Sequence, residues 1–225
     1  MNLLAIETST ESGSIALWCD GDLLRRSCPA GVAHSQTLLP LLGEALQEAG
    51  LGHGDLHGIA FAAGPGSFTG LRIACGVAQG LAVAHALPVI AVGTLEAMAL
   101  ASGGERVIVL LDARMGEIYH SRFVAGVEAL PVGVCHPDEL PLPDTPGWLA
   151  CGNGLAAHPL LRQRLSERVC DWLPDLRPDA AAVARLAAPR LARGEGVDAA
   201  AVAPLYVRNK VALTIAERLA TGGKA

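Results

Sequence analysis

The sequence predicts an α/β protein built from two related halves. Three observations support this prediction: short apolar segments open the chain, helical and strand patterns then alternate, and a similar order of segments starts again near Arg106. Short apolar or alternating runs indicate strands, whereas apolar residues three and four positions apart indicate helices. A chain of 225 residues is long enough to bury the cores of two small domains.

The first residues are predicted to form three antiparallel strands. Two apolar runs, residues 3–6 and 15–18, flank a polar segment suited to a turn, and Asp20-Gly21 is a strong signal for a second tight hairpin. A helix, a strand, a second helix and a further strand should follow. Their predicted ranges are about 35–49, 59–62, 71–86 and 89–92.

Two residues of the first predicted helix have positional preferences. Ser35 is suited to the N-cap, because a serine hydroxyl can accept a hydrogen bond from a free backbone N–H at a helix start. Pro40 should lie near the first turn, because proline has no N–H to donate inside a helix. We therefore expect this helix to begin close to Ser35 and to end at Gly50.

The second half repeats features of the first. An apolar run at 107–112 ends in Asp112, as the first strand ends in Glu7, and Gly116 precedes an alternating strand at 118–123. Such self-similarity is typical of an internal duplication. We expect a first domain of residues 1–104 together with a C-terminal helix at 205–221, and a second domain of residues 105–204.

The remainder of the second half has weaker patterns. Prolines and carboxylates predict a surface loop at 137–147, before the apolar segment 148–151. Asp179 is placed to cap an alanine-rich helix that stops at Gly194, and a last helix is predicted at about 211–219.

Charge and composition disfavour several classes of protein. The formal net charge of −5 repels a phosphate backbone, and an aromatic fraction of 4% leaves few side chains to stack on unpaired bases. Every apolar stretch is interrupted well before the roughly 20 residues of a membrane span. The first residues lack signal-peptide features, and the six cysteines show no C-x-x-C pair. We therefore expect a cytoplasmic protein that binds neither membranes nor, by itself, nucleic acid.

Two residue pairs could suggest chemistry, and neither is convincing. His53 and His57 have the spacing of helical metal ligands, but three nearby glycines favour a loop, and no third ligand is evident. His34 and Ser35 are adjacent at a helix start, so their side chains should point apart instead of forming a nucleophile and its base. We predict no metal site and no catalytic residue.

A glycine-rich loop joins a predicted buried strand to the second helix. It reads Gly64-Pro65-Gly66-Ser67-Phe68-Thr69-Gly70. Glycines allow sharp turns and can aim backbone amides at an anion, but they can equally form a tight connection. The spacing matches neither the dinucleotide fingerprint nor the P-loop, so the loop alone leaves both interpretations open.

This loop, followed by Leu71-Arg72-Ile73, resembles the signature of the TsaB (YeaZ) family. Other matching segments occur in the same order, at 4–9, 34–40, 112–119 and 204–209. Glu7 stands where the family more often has Asp, and Ala63 where an Arg often precedes the first glycine. The resemblance implies the actin-like ATPase (ASKHA) fold, with two duplicated RNase H-like halves whose mixed sheets are flanked by helices.

The resemblance also implies a function. A member of this family is expected to be a non-catalytic partner subunit in tRNA N6-threonylcarbamoyladenosine modification, pairing with a larger TsaD-type homologue and a TsaE-type ATPase. It should self-associate as a homodimer when alone and meet tRNA only through the complex. ATP, Mg and threonylcarbamoyl-adenylate would belong to the assembled complex, and the chain is expected to need no cofactor of its own.

Alternatives remain open at this point. An actin-fold ATPase or kinase would use carboxylates at strand ends, which predicts a weak nucleotide cleft at Glu7, Thr8 and Asp112. An inactive metallopeptidase homologue is a further alternative.

The second helix has a row of small residues. Gly76, Gly80 and Ala84 lie four positions apart and form a shallow groove, which could pack on the chain's own sheet or against another subunit. The family resemblance favours a subunit interface. Its predicted residues are Phe68, Leu71, Arg72, Ile73, Gly76, Gly80 and Ala84.

Overall fold

The structure is a computed structural model that describes residues 1–208. Its first half contains β1 (Asn2–Glu7), β2 (Ser14–Cys19), β3 (Asp22–Ser27), α1 (His34–Glu48), β4 (Gly58–Gly64), α2 (Phe68–His85), β5 (Val89–Gly93) and α3 (Thr94–Ser102). The second half contains β6 (Arg106–Arg114), β7 (Glu117–Val124), β8 (Val127–Cys135), β9 (Trp148–Cys151), α4 (Gly154–Ala157), α5 (Leu160–Leu165), β10 (Val169–Leu173) and α6 (Ala180–Ala192). Three short 3₁₀ turns cover His53–Asp55, Pro137–Glu139 and Ala199–Ala201.

The two halves have the same sheet topology. The first sheet has the order β3-β2-β1-β4-β5, and the second has the order β8-β7-β6-β9-β10. In each sheet the first strand pairs antiparallel with the second and parallel with the fourth. Ten strands thus repeat one five-strand pattern, which confirms the predicted duplication.

Helices cover both faces of both sheets. In β1, Leu4 and Ile6 point to the core beneath α1 and α2, whereas Leu3 and Ala5 point to the core beneath α6. The second sheet packs on α3 at one face and on α4 and α5 at the other. Strand alternation therefore places successive residues of each central strand in different cores.

α3 joins the two halves. Its Ala97 lies in the α6 core of the first sheet, whereas Leu95 and Met98 pack against the second sheet. The helix is therefore apolar on more than one side and lacks the single apolar stripe by which a helix is recognised. This is why the sequence did not predict it.

α6 lies within the range assigned to the second domain, yet its side chains belong to the core of the first sheet. Val183 and Ala187 pack in the same cluster as Leu3. The helix begins as predicted, since the Asp179 carboxylate accepts a hydrogen bond from the Ala181 N–H at 2.8 Å. Asp179 also pairs with Arg25 of β3 at 2.5 Å, which ties the helix start to the first sheet.

Two expectations about α1 were wrong. Ala33 occupies the N-cap position and Ser35 is already inside the helix, because the helix begins one residue earlier than its serine. Pro40 lies in the helix interior and not in its first turn. Pro40 is exposed, so water can satisfy the carbonyl that loses its helical donor.

Two strands were also missed. β8 contains Pro131, which argues against a central strand, but β8 is an edge strand where a missing N–H is tolerated. β10 is a short edge strand at the opposite side of the same sheet. The predicted helix at 211–219 and most of the one predicted at 205–221 lie outside the described residues. Within residues 1–208, no helix is both long and apolar enough to cross a membrane.

Candidate functional site

A cavity of about 550 Å³ lies between the two halves. The first half contributes the turn between β1 and β2, the start of α1 and the glycine loop before α2. The second half contributes the end of β6, Tyr119 of β7 and Asn153 after β9. Residues 205–208 form a further part of its wall. We call this space the inter-half cavity, and its size suits a small-molecule ligand.

The glycine loop is fixed by backbone contacts with the β1–β2 turn. The Ser67 N–H donates to the Ser9 carbonyl at 2.7 Å, and the Thr8 hydroxyl donates to the Gly70 carbonyl at 2.7 Å. A Cβ on Gly66 would lie 2.5 Å from the Ser9 carbonyl oxygen, and one on Gly70 would overlap the Thr8 carbonyl oxygen. These glycines are therefore required for close approach, which favours the tight-connection interpretation of the loop.

The surroundings of the loop are poorly matched to a polyphosphate. The loop glycines face carbonyl oxygens, which repel anions, and the Ser67 N–H is already hydrogen-bonded. The Gly70 N–H points to the Ser67 hydroxyl at 3.4 Å. The amides that could bind an anion are thus partly engaged within the chain itself.

Glu7 is fully buried and does not line the inter-half cavity. One carboxylate oxygen accepts a hydrogen bond from the Ser9 N–H, and the other has no partner among the described residues. Burial raises the pKa of the Glu7 carboxyl to about 7 from its ordinary value of 4.5; the hydrogen bonds from Ser9 oppose this shift, and the charge of Asp179 adds to it.

The predicted nucleotide cleft is therefore assembled only in part. Thr8 is as buried as Glu7, and neither residue lines the cavity, whereas Asp112 does. The residues alternate along β1, so Glu7 shares the face of Leu3 and Ala5 that packs on α6. The expectation that Glu7 and Thr8 face the cleft was wrong.

Asp112 is held by its own half of the molecule. Its N–H donates to Asn153 Oδ1 at 2.9 Å, and its carboxylate accepts from the Arg114 N–H at 3.0 Å. His158 Nε2 lies 3.5 Å from the same carboxylate. Asp112 is thus a positioned anion at the second wall of the cavity.

The histidines considered as metal ligands do not converge. His57 Nδ1 accepts a hydrogen bond from the Asn2 N–H at 3.1 Å, whereas the His53 ring stacks on His85 with centroids 5.6 Å apart. Within residues 1–208, no group of three or more His, Cys, Asp or Glu side chains is arranged to hold a metal ion.

A C-terminal strap, residues 202–208, crosses from one half to the other. The Leu205 N–H donates to the Ala63 carbonyl of β4 at 2.7 Å. At the far end, Arg208 pairs with Glu117 and donates to the Ala113 carbonyl at 3.1 Å, both in the second half. The strap therefore connects the glycine loop of one half to the β6–β7 turn of the other.

Comparison with known proteins agrees with this architecture. Residues 29–138 match a family model described as TsaD, tRNA N6-adenosine threonylcarbamoyltransferase. The tRNA threonylcarbamoyladenosine biosynthesis protein TsaB of Escherichia coli strain K12 is 35% identical over 94% of this chain and 96% of its own length. The protein of the same name from Haemophilus influenzae is 32% identical over 94% and 95%.

Solved structures give the same result. YeaZ from Pseudomonas aeruginosa is 37% identical, with a TM-score of 0.80 that covers 91% of this chain and 99% of that chain. An uncharacterized protein from the same organism, with similarity to peptidase YEAZ, reaches a TM-score of 0.83 over 92% and 99%. The chain belongs to the TsaB family. With the duplicated mixed sheets, this membership confirms both the predicted family and the actin-like fold.

The TsaB-family signature loop leads into a helix with an open outer face. Five residues of the predicted interface are exposed on α2: Phe68, Arg72, Gly76, Gly80 and Ala84. Ile73 is only partly exposed and packs against the core beneath α2.

One residue of the predicted interface cannot contact a partner. Leu71 is only 1% exposed, because it continues the buried face formed by Ala74, Cys75 and Ala78, so its assignment to a surface was wrong. Sequence reasoning missed Val83, which is 75% exposed on the same helix. It also missed Tyr206 of the strap, whose ring lies 5.6 Å from Phe68 and whose hydroxyl accepts from Arg72 Nε at 3.0 Å. No helical pattern could have brought residue 206 to this surface.

Replacing Gly70 with alanine should destabilise the protein by about 3 kcal/mol or more, because the new methyl group overlaps the Thr8 carbonyl oxygen and must push two backbones apart. Gly80→Ala is the matched control, since a Cβ there meets nothing within 4 Å and alanine favours a helix. Urea denaturation of both variants would test this. Equal stability of the two would contradict the close-approach role of the loop.

The buried Glu7 carboxyl should make stability fall as pH rises. Its folded pKa is above its unfolded pKa, so the folded state holds the proton more tightly and loses stability between about pH 4.5 and 7. Glu7→Gln should therefore be more stable than the parent by about 3 kcal/mol at pH 8 and equal to it near pH 4. Glu11→Gln, at an exposed carboxyl of the same turn, should show no such difference. Urea denaturation across this pH range measures the free energy of unfolding of both variants and of the parent. Parallel pH profiles of stability for Glu7→Gln and the parent would contradict the raised pKa of Glu7.

Proposed function

We propose that this chain is a non-catalytic accessory subunit required for tRNA N6-threonylcarbamoyladenosine modification. In this proposal it binds and activates a TsaD-type transferase, together with a TsaE-type ATPase, and it meets tRNA only as part of that complex. ATP, Mg and threonylcarbamoyl-adenylate are ligands of the assembled complex and not cofactors of this chain. Membership of the TsaB family supports the assignment to this modification.

The observation that carries the proposal is the outer face of α2. A glycine inside a helix costs about 0.5–1 kcal/mol relative to alanine. In the loop, Gly66 and Gly70 are required because the chain's own backbone lies against them, but a Cβ on Gly76 or Gly80 would meet nothing within 4 Å. Nothing inside the described chain compensates for the two helical glycines. Close approach of a helix from another subunit would do so.

The nature of the partner follows from shared architecture. The match of residues 29–138 to a TsaD family model supports a common fold for the two subunits. Two proteins of one fold can pack through equivalent helices about a pseudo-twofold axis, and a single protein can use the same surface for a homodimer. We therefore propose that the α2 face binds the TsaD-type homologue and forms a homodimer when that homologue is absent.

The internal chemistry of the site supports an accessory role. An ATPase of this fold needs carboxylates and amides directed at the phosphates and metal, whereas here Glu7 is buried away from the cavity and the loop glycines face carbonyl oxygens. Weak nucleotide binding in the inter-half cavity stays a secondary proposal, with Asp112 at its wall. Calorimetry with ATP and Mg, on the chain alone and with its partner, distinguishes an accessory subunit from an independent ATPase. An independent ATPase should bind ATP tightly without a partner.

Reconstitution tests the proposed function. Purified TsaD-type and TsaE-type partners with ATP, Mg, threonylcarbamoyl-adenylate and unmodified tRNA should produce modified adenosine efficiently only when this chain is added. The chain alone should produce none. Modification at full rate without it, or transfer by the isolated chain, would refute the accessory role.

Gly76→Leu or Gly80→Leu should abolish co-purification with the TsaD-type partner while leaving the isolated fold intact, because a leucine fills the shallow groove on α2, whereas a Cβ at either position meets nothing within 4 Å in the described part of the chain. Ala101→Leu, at an exposed position of α3, is the control for adding a leucine to a surface helix. Circular dichroism checks the fold, and size-exclusion chromatography reports the complex. Retained binding by both glycine variants would exclude this face as the interface.

A further inference from the structure

The mouth of the inter-half cavity has a rim of exposed apolar side chains. They come from three separate segments: the start of α2, the turn between β6 and β7, and the strap. All are between 41% and 61% exposed and line the cavity, and they are Phe68, Met115, Leu205 and Tyr206. We call these four residues the cavity rim. Large apolar side chains that are exposed as one patch mark an interaction site.

Contacts within the chain hold the cavity rim in place. The centroids of the Phe68 and Tyr206 rings lie 5.6 Å apart, and the Arg72 side chain contacts both residues. At the end of the strap, Arg208 Nη1 lies 3.6 Å from Met115 Sδ. The rim side chains are therefore ordered before a ligand arrives, which lowers the entropy that binding costs.

The arginines beside the cavity rim already have partners. Arg208 pairs with Glu117 and donates to the Ala113 carbonyl at 3.1 Å. Arg72 donates to the Tyr206 hydroxyl at 3.0 Å. An anionic ligand would compete with these contacts, whereas an apolar group would leave them in place. The cavity rim therefore suits an uncharged, apolar group.

The composition of the cavity rim indicates a protein as its partner. Aromatic residues, Met and Arg are enriched at protein–protein interfaces, where a few such side chains contribute most of the binding free energy. Phe68 also begins the outer face of α2, so the rim continues the surface proposed for the TsaD-type homologue. Tyr206 and Met115 extend that surface onto the strap and then onto the second half.

We propose that the cavity rim is a second part of the contact with the TsaD-type partner, which inserts an apolar side chain into the mouth of the inter-half cavity. This inference rests on the proposed function. The partner's side chain packs against the Phe68 and Tyr206 rings on one side and against Met115 on the other. The interface then includes both halves of this chain, and the occupant of the cavity mouth is a polypeptide group instead of a nucleotide.

Photo-cross-linking tests the contact directly. With p-benzoylphenylalanine in place of Met115, irradiation of the complex should give a cross-link to the TsaD-type partner. Val127 is the matched control, because it is 70% exposed in the second half but does not line the cavity. The same residue in place of Val127 should give no cross-link to the partner. Mass spectrometry identifies the cross-linked peptides.

A second measurement is the affinity for the partner, determined by calorimetry. Met115→Glu should raise the Kd at least about tenfold, because the contact would bury an unpaired carboxylate. Leu205→Glu, at another exposed rim position, should do the same, and circular dichroism checks that each variant is folded. Val127→Glu adds the same charge outside the rim and should leave the Kd unchanged.

The outcomes separate this inference from the proposed function. If the unaltered chain binds the partner but position 115 gives no cross-link to it, the rim contact is wrong and the accessory role stands. A cross-link from position 115 to a second copy of this chain, or folded rim variants with the parent's Kd, would also overturn the rim contact. Failure of the unaltered chain to bind the partner at all would refute the proposed function and the rim contact together.

Discussion

The contact between the glycine loop and the β1–β2 turn is the constraint on which the rest of the cavity depends. Two backbones approach so closely that no side chain fits between them at Gly66 or Gly70. On the other side of the same loop, a Cβ on Gly64 would lie 2.7 Å from the Leu205 carbonyl oxygen. The loop is therefore packed between the turn and the strap, and its glycines are a requirement of both contacts.

This packing also determines which groups face the cavity. The turn presents the Thr8 and Ser9 carbonyl oxygens to the loop, and the strand that precedes it directs Glu7 into the interior beneath α6. Burial raises the pKa of the Glu7 carboxyl there, because the hydrogen bonds from Ser9 oppose it only in part and the second carboxylate oxygen has no partner within the described residues. Of the two strand-end carboxylates, Glu7 is thus buried away from the inter-half cavity, whereas Asp112 lines it.

Sequence patterns were sufficient for the elements that have a regular period. The β1–β3 meander, the buried strands β4 and β5, the helix α2 and the restart at β6 all follow apolar spacing, and Asp179 was correctly identified as a helix cap. The same spacing could have excluded Leu71 from the surface, because it lies three and four positions before Ala74 and Cys75 on one buried face.

The orientation of Glu7 needed information that no local pattern contains. It depends on α6, a helix more than 170 residues further along the chain that packs on the first sheet although the strand before it, β10, belongs to the second. The strap is a comparable case, since residues 202–208 have no regular secondary structure and are positioned by single contacts with distant elements. Hydrophobic period and residue propensity do not predict tertiary packing of this kind, because it joins segments that are distant in sequence.

The strap also gives the outer face of α2 a physical connection to the cavity. Arg72 lies on that face, with its guanidinium 3.8 Å from the centre of the Phe68 ring, and it donates to the hydroxyl of Tyr206. Tyr206 lines the inter-half cavity, and two residues later Arg208 is fixed to the β6–β7 turn of the second half. The outer face of α2 and the second wall of the cavity are therefore joined by contiguous contacts that run through Tyr206 and the strap to Arg208.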